Sequence, residues 1–178
     1  MRRLFGVLLL LGLIAITSGT AARAATPRAP AADPVRLRIP AIKLDETLVS
    51  VGLDKERRPI VPKHNVGWYK WSARPGEGEN VVLWGHVLRW KATPRIPAPF
   101  ERLNELKLGA EISVTMADGK QHRYKVARTV LARPHEIRYI LPTGSARLTL
   151  VSCFGENVIS RGELTKEFRL ITIATPLP

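Results

Sequence analysis

One cysteine, Cys153, occurs in the 178 residues, so no disulfide can form within the chain and the thiol needs another account. The run Thr149-Leu150-Val151-Ser152-Cys153 reads as a buried strand that carries the thiol to its C-terminal end, just before Phe154-Gly155 break it. A strand end projects a side chain into a cleft from a rigid base, which suits a nucleophile. A small apolar core cysteine is the plainer alternative. A nucleophilic thiolate needs a base or cation beside it, and histidine supplies both. Of the four histidines, His86 ends the apolar run Val81-Val82-Leu83-Trp84-Gly85, whereas His64, His122 and His135 lie among polar and charged residues and read as solvated side chains. Gly85 suggests that backbone approaches something closely just before His86. Acyl transfer to a thiol also needs a donor for the developing oxyanion. Arg169, a charge inside the apolar run Phe168-Arg169-Leu170-Ile171-Thr172-Ile173, is of that kind; pairing with Glu167 or Glu163 at the rim is the structural alternative.

The elements that must position these residues are short β-type runs broken by Pro, Gly and Asp or Asn: 35–39, 47–51, 58–61, 81–86, 111–116, 121–131, 147–153 and 167–174. Ile112, Val114 and Met116 alternate with Glu111, Ser113 and Thr115, which describes a sheet with one wet face. Leu148–Val151 and Leu170–Ile173 are apolar on both faces and read as central strands. Only Pro99–Leu106 looks helical. Many short strands at spacings near ten residues predict a mainly β domain, a closed or nearly closed barrel. Asp118-Gly119 fits a hairpin turn between two alternating runs. Two long connections, 63–80 and 87–106, are expected to serve function.

Residues 1–24 do not belong to this fold. Arg2 and Arg3 precede an apolar run from Leu4 to Ile16, and small residues end at Ala22-Arg23-Ala24, the layout of a secretory signal peptide. An uncleaved N-terminal membrane anchor is the competing reading, although about 20 apolar residues normally span a bilayer. Either reading places the rest outside the cytoplasm, secreted or anchored to the cell membrane. An Ala/Pro-rich linker follows at 25–34, and the domain is expected over 35–178. A composition of 45% hydrophobic and 24% charged residues excludes wholesale disorder. The net charge of +13 resides mostly in the domain, since only Arg2, Arg3 and Arg23 of the 28 basic residues fall in the leader. Such a field suits anionic wall polymer or lipid. Nucleic acid is disfavoured by export and by the lack of aromatics interleaved with basic residues.

Gly85-His86, then Thr149–Cys153, then Phe168–Ala174, in that order and after the opening Leu37-Arg38-Ile39-Pro40-Ala41-Ile42-Lys43-Leu44-Asp45, resemble the sortase family over about residues 35–175. The resemblance implies a closed eight-stranded sortase-type β-barrel with one or two short helices, and Cys, His and Arg at Cys153, His86 and Arg169. It also implies a cysteine transpeptidase: the thiolate attacks the carbonyl between Thr and Gly of an exported protein's C-terminal sorting signal, and a cell-wall peptide or other amine then releases the thioacyl enzyme. Ser152 stands where sortases commonly have Thr, so altered substrate contact is expected there. The short tail after Ala174 and the single N-terminal apolar segment look more like the smaller general-purpose sortases, of class D, E or F type, than the pilus-building ones. A membrane-proximal monomer is expected.

Three rivals share some of these features. Peptidoglycan transpeptidases that cross-link through D-residues carry His two residues before the Cys, where this chain has Val151. A thiol hydrolase on the same barrel differs only in using water to resolve the acyl enzyme. A non-catalytic, basic wall-binding β-domain would not depend on Cys153. No cofactor and no metal are assigned. A divalent cation in a loop stays open, with Glu77 and Glu79 the acids that could touch it, but two loop acids are more often simply solvated. Leu141-Pro142-Thr143-Gly144 reads as a turn feeding the Cys153 strand, not as a sorting signal of the chain itself.

Overall fold

The computed structural model describes residues 32–160 and 162–178; the leader expected at 1–24 and most of the linker expected at 25–34 lie outside the described residues. Eight strands follow in chain order: β1 (Pro34–Ile39), β2 (Leu44–Val51), β3 (Val66–Tyr69), β4 (Asn80–Trp84), β5 (Glu111–Met116), β6 (Gln121–Ala132), β7 (Arg147–Ser160) and β8 (Glu163–Pro176). They close into a barrel in the order β1-β2-β3-β4-β7-β8-β6-β5. Closure leaves the sheet without an open edge. The pairs β2–β3 and β4–β7 are parallel and the others antiparallel, so β1, β4, β6 and β7 all run toward the same end of the barrel.

Alternation builds the interior. On β5, Ile112, Val114 and Met116 are buried while Glu111 is exposed, and the same period places Leu37 and Ile39, Val81 and Leu83, and Leu148 and Leu150 in one core. Each such aliphatic side chain contributes about 1.5–3 kcal/mol on full burial. Phe100 and Leu103, from the β4–β5 connection, pack into that core as well. The helical piece expected at Pro99–Leu106 reduces to one of three 3-10 helices, Pro40–Ile42, Leu103–Glu105 and Ile137–Tyr139, and the described residues hold no α-helix.

The strands that are apolar on both faces do have two buried faces, because connections cover part of the barrel's outside. Val82 and Trp84 of β4 form an outer cluster with Val51, against which Val61, Ile140 and Val151 pack. Beside it, Ala132, Tyr139, Ile171 and Ile173 form a second one. The β2–β3 and β6–β7 connections thus lie against the outer face of β4, β7 and β8.

Three expectations need correction. The run 58–61 is no strand: its only sheet-like contact is the isolated bridge Leu53–Pro59. The strand that fills that place, β3, lies inside the connection read as running from 63 to 80. Phe154-Gly155 do not break the Cys153 strand either. Gly155, at φ +87°, sits in a register shift between Phe154 and Asn157, a bulge that inserts an extra residue while β7 continues to Ser160. The Asp118-Gly119 turn is as expected, with Gly119 at φ +85° and the Lys120 N–H donating to Asp118 Oδ1 at 2.9 Å.

Candidate active site

Cys153 and Arg169 are directly paired residues of β7 and β8. His86 follows β4 by two positions. The parallel register Trp84–Val151 is continued by the Gly85 N–H to the Val151 carbonyl at 3.3 Å, which sets His86 level with Cys153 on the next strand. The three expected residues therefore line up across neighbouring strands β4, β7 and β8. All three fall in the alternation of Trp84, Val151 and Ile171, the outward-facing positions of those strands.

The end of β4 is held by Phe100. Its N–H donates to the His86 carbonyl at 2.9 Å, and a Cβ at Gly85 would stand 3.1 Å from its ring. This is the close approach that Gly85 announces. His86 is half-buried, and burial holds its ring below the ordinary histidine value; His64 adds to that effect and the Val61 backbone opposes it. The Trp90 ring lies 6.3 Å from the His86 ring, with the Lys63 ammonium 5.0 Å from the centroid of the same indole. His64 is accordingly no plain solvated residue: it is half-buried, exchanges a hydrogen bond of 3.1 Å with Thr93 Oγ1, and lies in electrostatic range of His86. His122 is also partly buried, packed against Gly76, while His135 is exposed as expected.

Arg169 does not pair with Glu167, which instead takes the Arg133 guanidinium at 2.9 Å. Arg169 Nη1 donates to the carbonyls of Lys166 and Phe168 at 3.1 and 3.0 Å, and Nη2 to Thr165 Oγ1 at 3.4 Å. Carbonyls hold the guanidinium in place without neutralising it, and of its five N–H donors the ones on Nε and the remainder of Nη2 stay available. Ser152 is 2% exposed and pairs with Leu170, on the alternation of Leu148 and Leu150 that faces the core. Its hydroxyl is buried without a partner. Ser152 nonetheless lines, with Cys153, the smaller of two nearby cavities.

Two cavities flank the Cys153–Arg169 pair. The smaller, about 220 Å³, is lined by Cys153 with Val87, Phe100, Asn104 and Lys166. The larger, about 530 Å³, has Trp84, Val151, Ile171 and Arg169 along its floor and the β2–β3 and β6–β7 connections as walls. The floor is apolar apart from Arg169, while the walls add the charged residues Glu56, Arg57, Arg58, Arg133 and Glu136; Cys153 lines only the smaller cavity. The walls escaped the sequence reading, as did the side chains that secure them. Asn80 Nδ2 donates to the carbonyls of Tyr139 and Leu141 at 3.0 and 2.9 Å. Glu79, expected to be solvated or near a cation, accepts from the Thr143 and Gly144 N–H groups, both at 2.6 Å. A polar residue leading a strand apolar on both faces was the available signal for Asn80.

A family profile described as "Sortase domain" matches residues 37–176. Among solved structures, the chain is similar to sortase A from Corynebacterium diphtheriae, with 21% identity, a TM-score of 0.65, and coverage of 89% of this chain and 72% of that one. It is similar to sortase C1 from Streptococcus agalactiae, at 22% identity and a TM-score of 0.63, over 81% of this chain and 67% of that one. A sortase D5 transpeptidase from Clostridium perfringens aligns at 18% identity with a TM-score of 0.59, over 82% and 79% of the two chains. Among curated protein sequences no relative matches. With the family profile covering most of the chain and the same barrel in each of these structures, the protein belongs to the sortase family of cysteine transpeptidases.

Proposed function

We propose that this sortase is an exported enzyme that cleaves the Thr–Gly bond of a C-terminal sorting signal of the Leu-Pro-x-Thr-Gly kind and passes the acyl group to a cell-wall amine. The observation that carries the reading is the line of His86, Cys153 and Arg169 across three adjacent strands, with Arg169 also on the floor of the larger groove.

The residues divide the chemistry as follows. Burial keeps the His86 ring neutral at pH 7, so it takes the Cys153 proton as sulfur adds to the threonine carbonyl. The negative charge that develops on the carbonyl oxygen falls to the free N–H groups of Arg169, which carbonyl contacts have already oriented. The imidazolium then returns its proton to the departing glycine nitrogen as the C–N bond breaks, leaving a thioester on Cys153. An incoming amine loses a proton to His86, attacks the thioester and regenerates the thiol. The apolar floor of Trp84, Val151 and Ile171 would hold the aliphatic part of the signal. The basic surface would keep the enzyme near anionic wall or lipid.

The test is intact mass. Residues 25–178, as wild type and Cys153→Ala, are incubated with a panel of Leu-x-x-Thr-Gly peptides and a glycine or diamine acceptor. A thioacyl adduct on the wild type alone, resolving to an amine-linked product, is expected. Resolution to the free acid even with amine present would make the enzyme a hydrolase. No adduct across the panel, with equal binding of both proteins to isolated wall polymer, would sink the catalytic reading in favour of a basic binding domain.

A further inference from the structure

The groove's outer wall is a stretch of chain with little structure of its own. Between β6 and β7, residues 133–146 contain only the 3-10 turn Ile137–Tyr139 and a few local backbone bonds. A connection of this length is ordinarily a place of conformational multiplicity. Here it is gripped from the foot of β4. The Asn80 side chain, 2% exposed, donates to the carbonyls on either side of Ile140, and its Oδ1 accepts the Thr149 hydroxyl of β7 at 2.8 Å. Arg147 Nη2 adds a second bond to the Tyr139 carbonyl at 2.9 Å. Next along, the Glu79 carboxylate accepts from Thr143 N–H and Oγ1 and from Gly144 N–H. Ile140 and Tyr139, the residues flanked by these bonds, are the ones that pack toward Trp84 and toward Ala132 and Ile171, on the groove floor.

We propose that Asn80 and Glu79 are positioning residues for donor recognition: they lock the β6–β7 connection onto β4 as a fixed wall and so set which side chain of the signal the groove admits. The proposal rests on the reading of this groove as the site of the acyl donor. An amide suits the Asn80 position as no other polar group does, because two donors must meet two carbonyls while one acceptor meets a hydroxyl. Carboxylate suits the Glu79 position because four donors converge on it, the Asn80 N–H at 2.8 Å being the fourth. Those donors hold its pKa down at about 2, so the grip is charged at any working pH. Neither residue lines the larger groove itself, so both act through the chain they hold.

The test compares wild type with Asn80→Ala and Glu79→Gln in thioacylation of Cys153 by the peptide panel. Hydrogen exchange over residues 137–144 and alkylation of Cys153 by iodoacetamide are measured on the same proteins. Glu79→Gln, at the surface, keeps the question open to experiment if Asn80→Ala does not fold. The expected result is faster exchange at Thr143 and Gly144, KM raised about tenfold for the preferred peptide, a flatter preference across the panel, and kcat and alkylation within about twofold of wild type, the signature of lost binding without lost chemistry. Wild-type KM and preference in a variant whose exchange has accelerated would overturn the proposal. So would an equal fall in kcat and alkylation, which would mean that these residues only hold the fold. Absence of any adduct on the wild type would overturn the groove reading itself, a different outcome from either.

Discussion

A methyl group at position 67 would have to occupy space that the Trp84 indole already fills. Gly67 of β3 pairs with Trp84 of β4, and an ideal Cβ there would stand 2.8 Å from Trp84 Nε1 and 2.8 Å from Val51 Cγ2. Neither neighbour gives way freely. Trp84 is 3% exposed and donates its indole N–H to the Ile60 carbonyl at 2.9 Å, and Val51 is in the same outer cluster. Gly67→Ala therefore forces overpacking, which costs about 1–3 kcal/mol. Displacing the indole also forfeits a hydrogen bond with a net value of about 1 kcal/mol. Restricting the unfolded chain gives back about 0.4–1 kcal/mol, so the middle of these ranges gives an expected loss of about 2–3 kcal/mol. For a domain of this size that lowers Tm by roughly 5–12 °C. The control is Gly78→Ala, where φ is +82° but nothing lies within 4 Å, so only left-handed backbone strain of about 1–2 kcal/mol applies. Urea and thermal unfolding of the three proteins give the comparison. A Gly67→Ala loss below about 0.5 kcal/mol, or one smaller than that of Gly78→Ala, would refute the argument that the Trp84 indole is fixed by this gap.

Two further outcomes follow from the site. Arg169→Lys cannot reproduce a planar guanidinium held by two carbonyls with donors to spare; thioacylation is expected to fall about 10²–10³-fold with the urea midpoint almost unchanged, and a fall below about fivefold would remove Arg169 from the chemistry. Because burial favours the neutral His86 ring, the folded protein takes up that proton at lower pH than the unfolded chain, whose histidine titrates near 6.5. The contribution of this group to stability is thus present above about pH 6.5 and is lost as pH falls through the lower folded value. The stability difference between wild type and His86→Asn should be flat on the alkaline side and shrink in acid; a difference that grows in acid would contradict the burial argument.

Cys153, His86 and Arg169 could be singled out in the sequence because each is a reactive or charged type set in an apolar run, a local signal. Their alignment could not, since it depends on the β4–β7 register between segments far apart in the chain. The strands with clean alternation were legible with nearly correct bounds, β5 among them. Strand β3 was not: it is four residues long, contains Gly67, and pairs in parallel with β2, so no hairpin turn announces it. The run 58–61 had the better local pattern, yet tertiary context leaves it a single bridge. The far halves of β7 and β8 were hidden by Gly155 and by polar residues such as Glu156 and Asn157 that pass for a loop. Asn80 and Glu79 were opaque for the same reason as the register: their partners lie some sixty residues onward.

Since β1 runs in the same direction as β4 and β7, Pro34 enters the barrel at the end opposite Cys153. The chain that precedes it is therefore attached to the base of the molecule, with the full height of the barrel between that attachment and the thiol. Any surface that held the protein by its N-terminal segment would thus be joined to the end of the barrel away from the thiol.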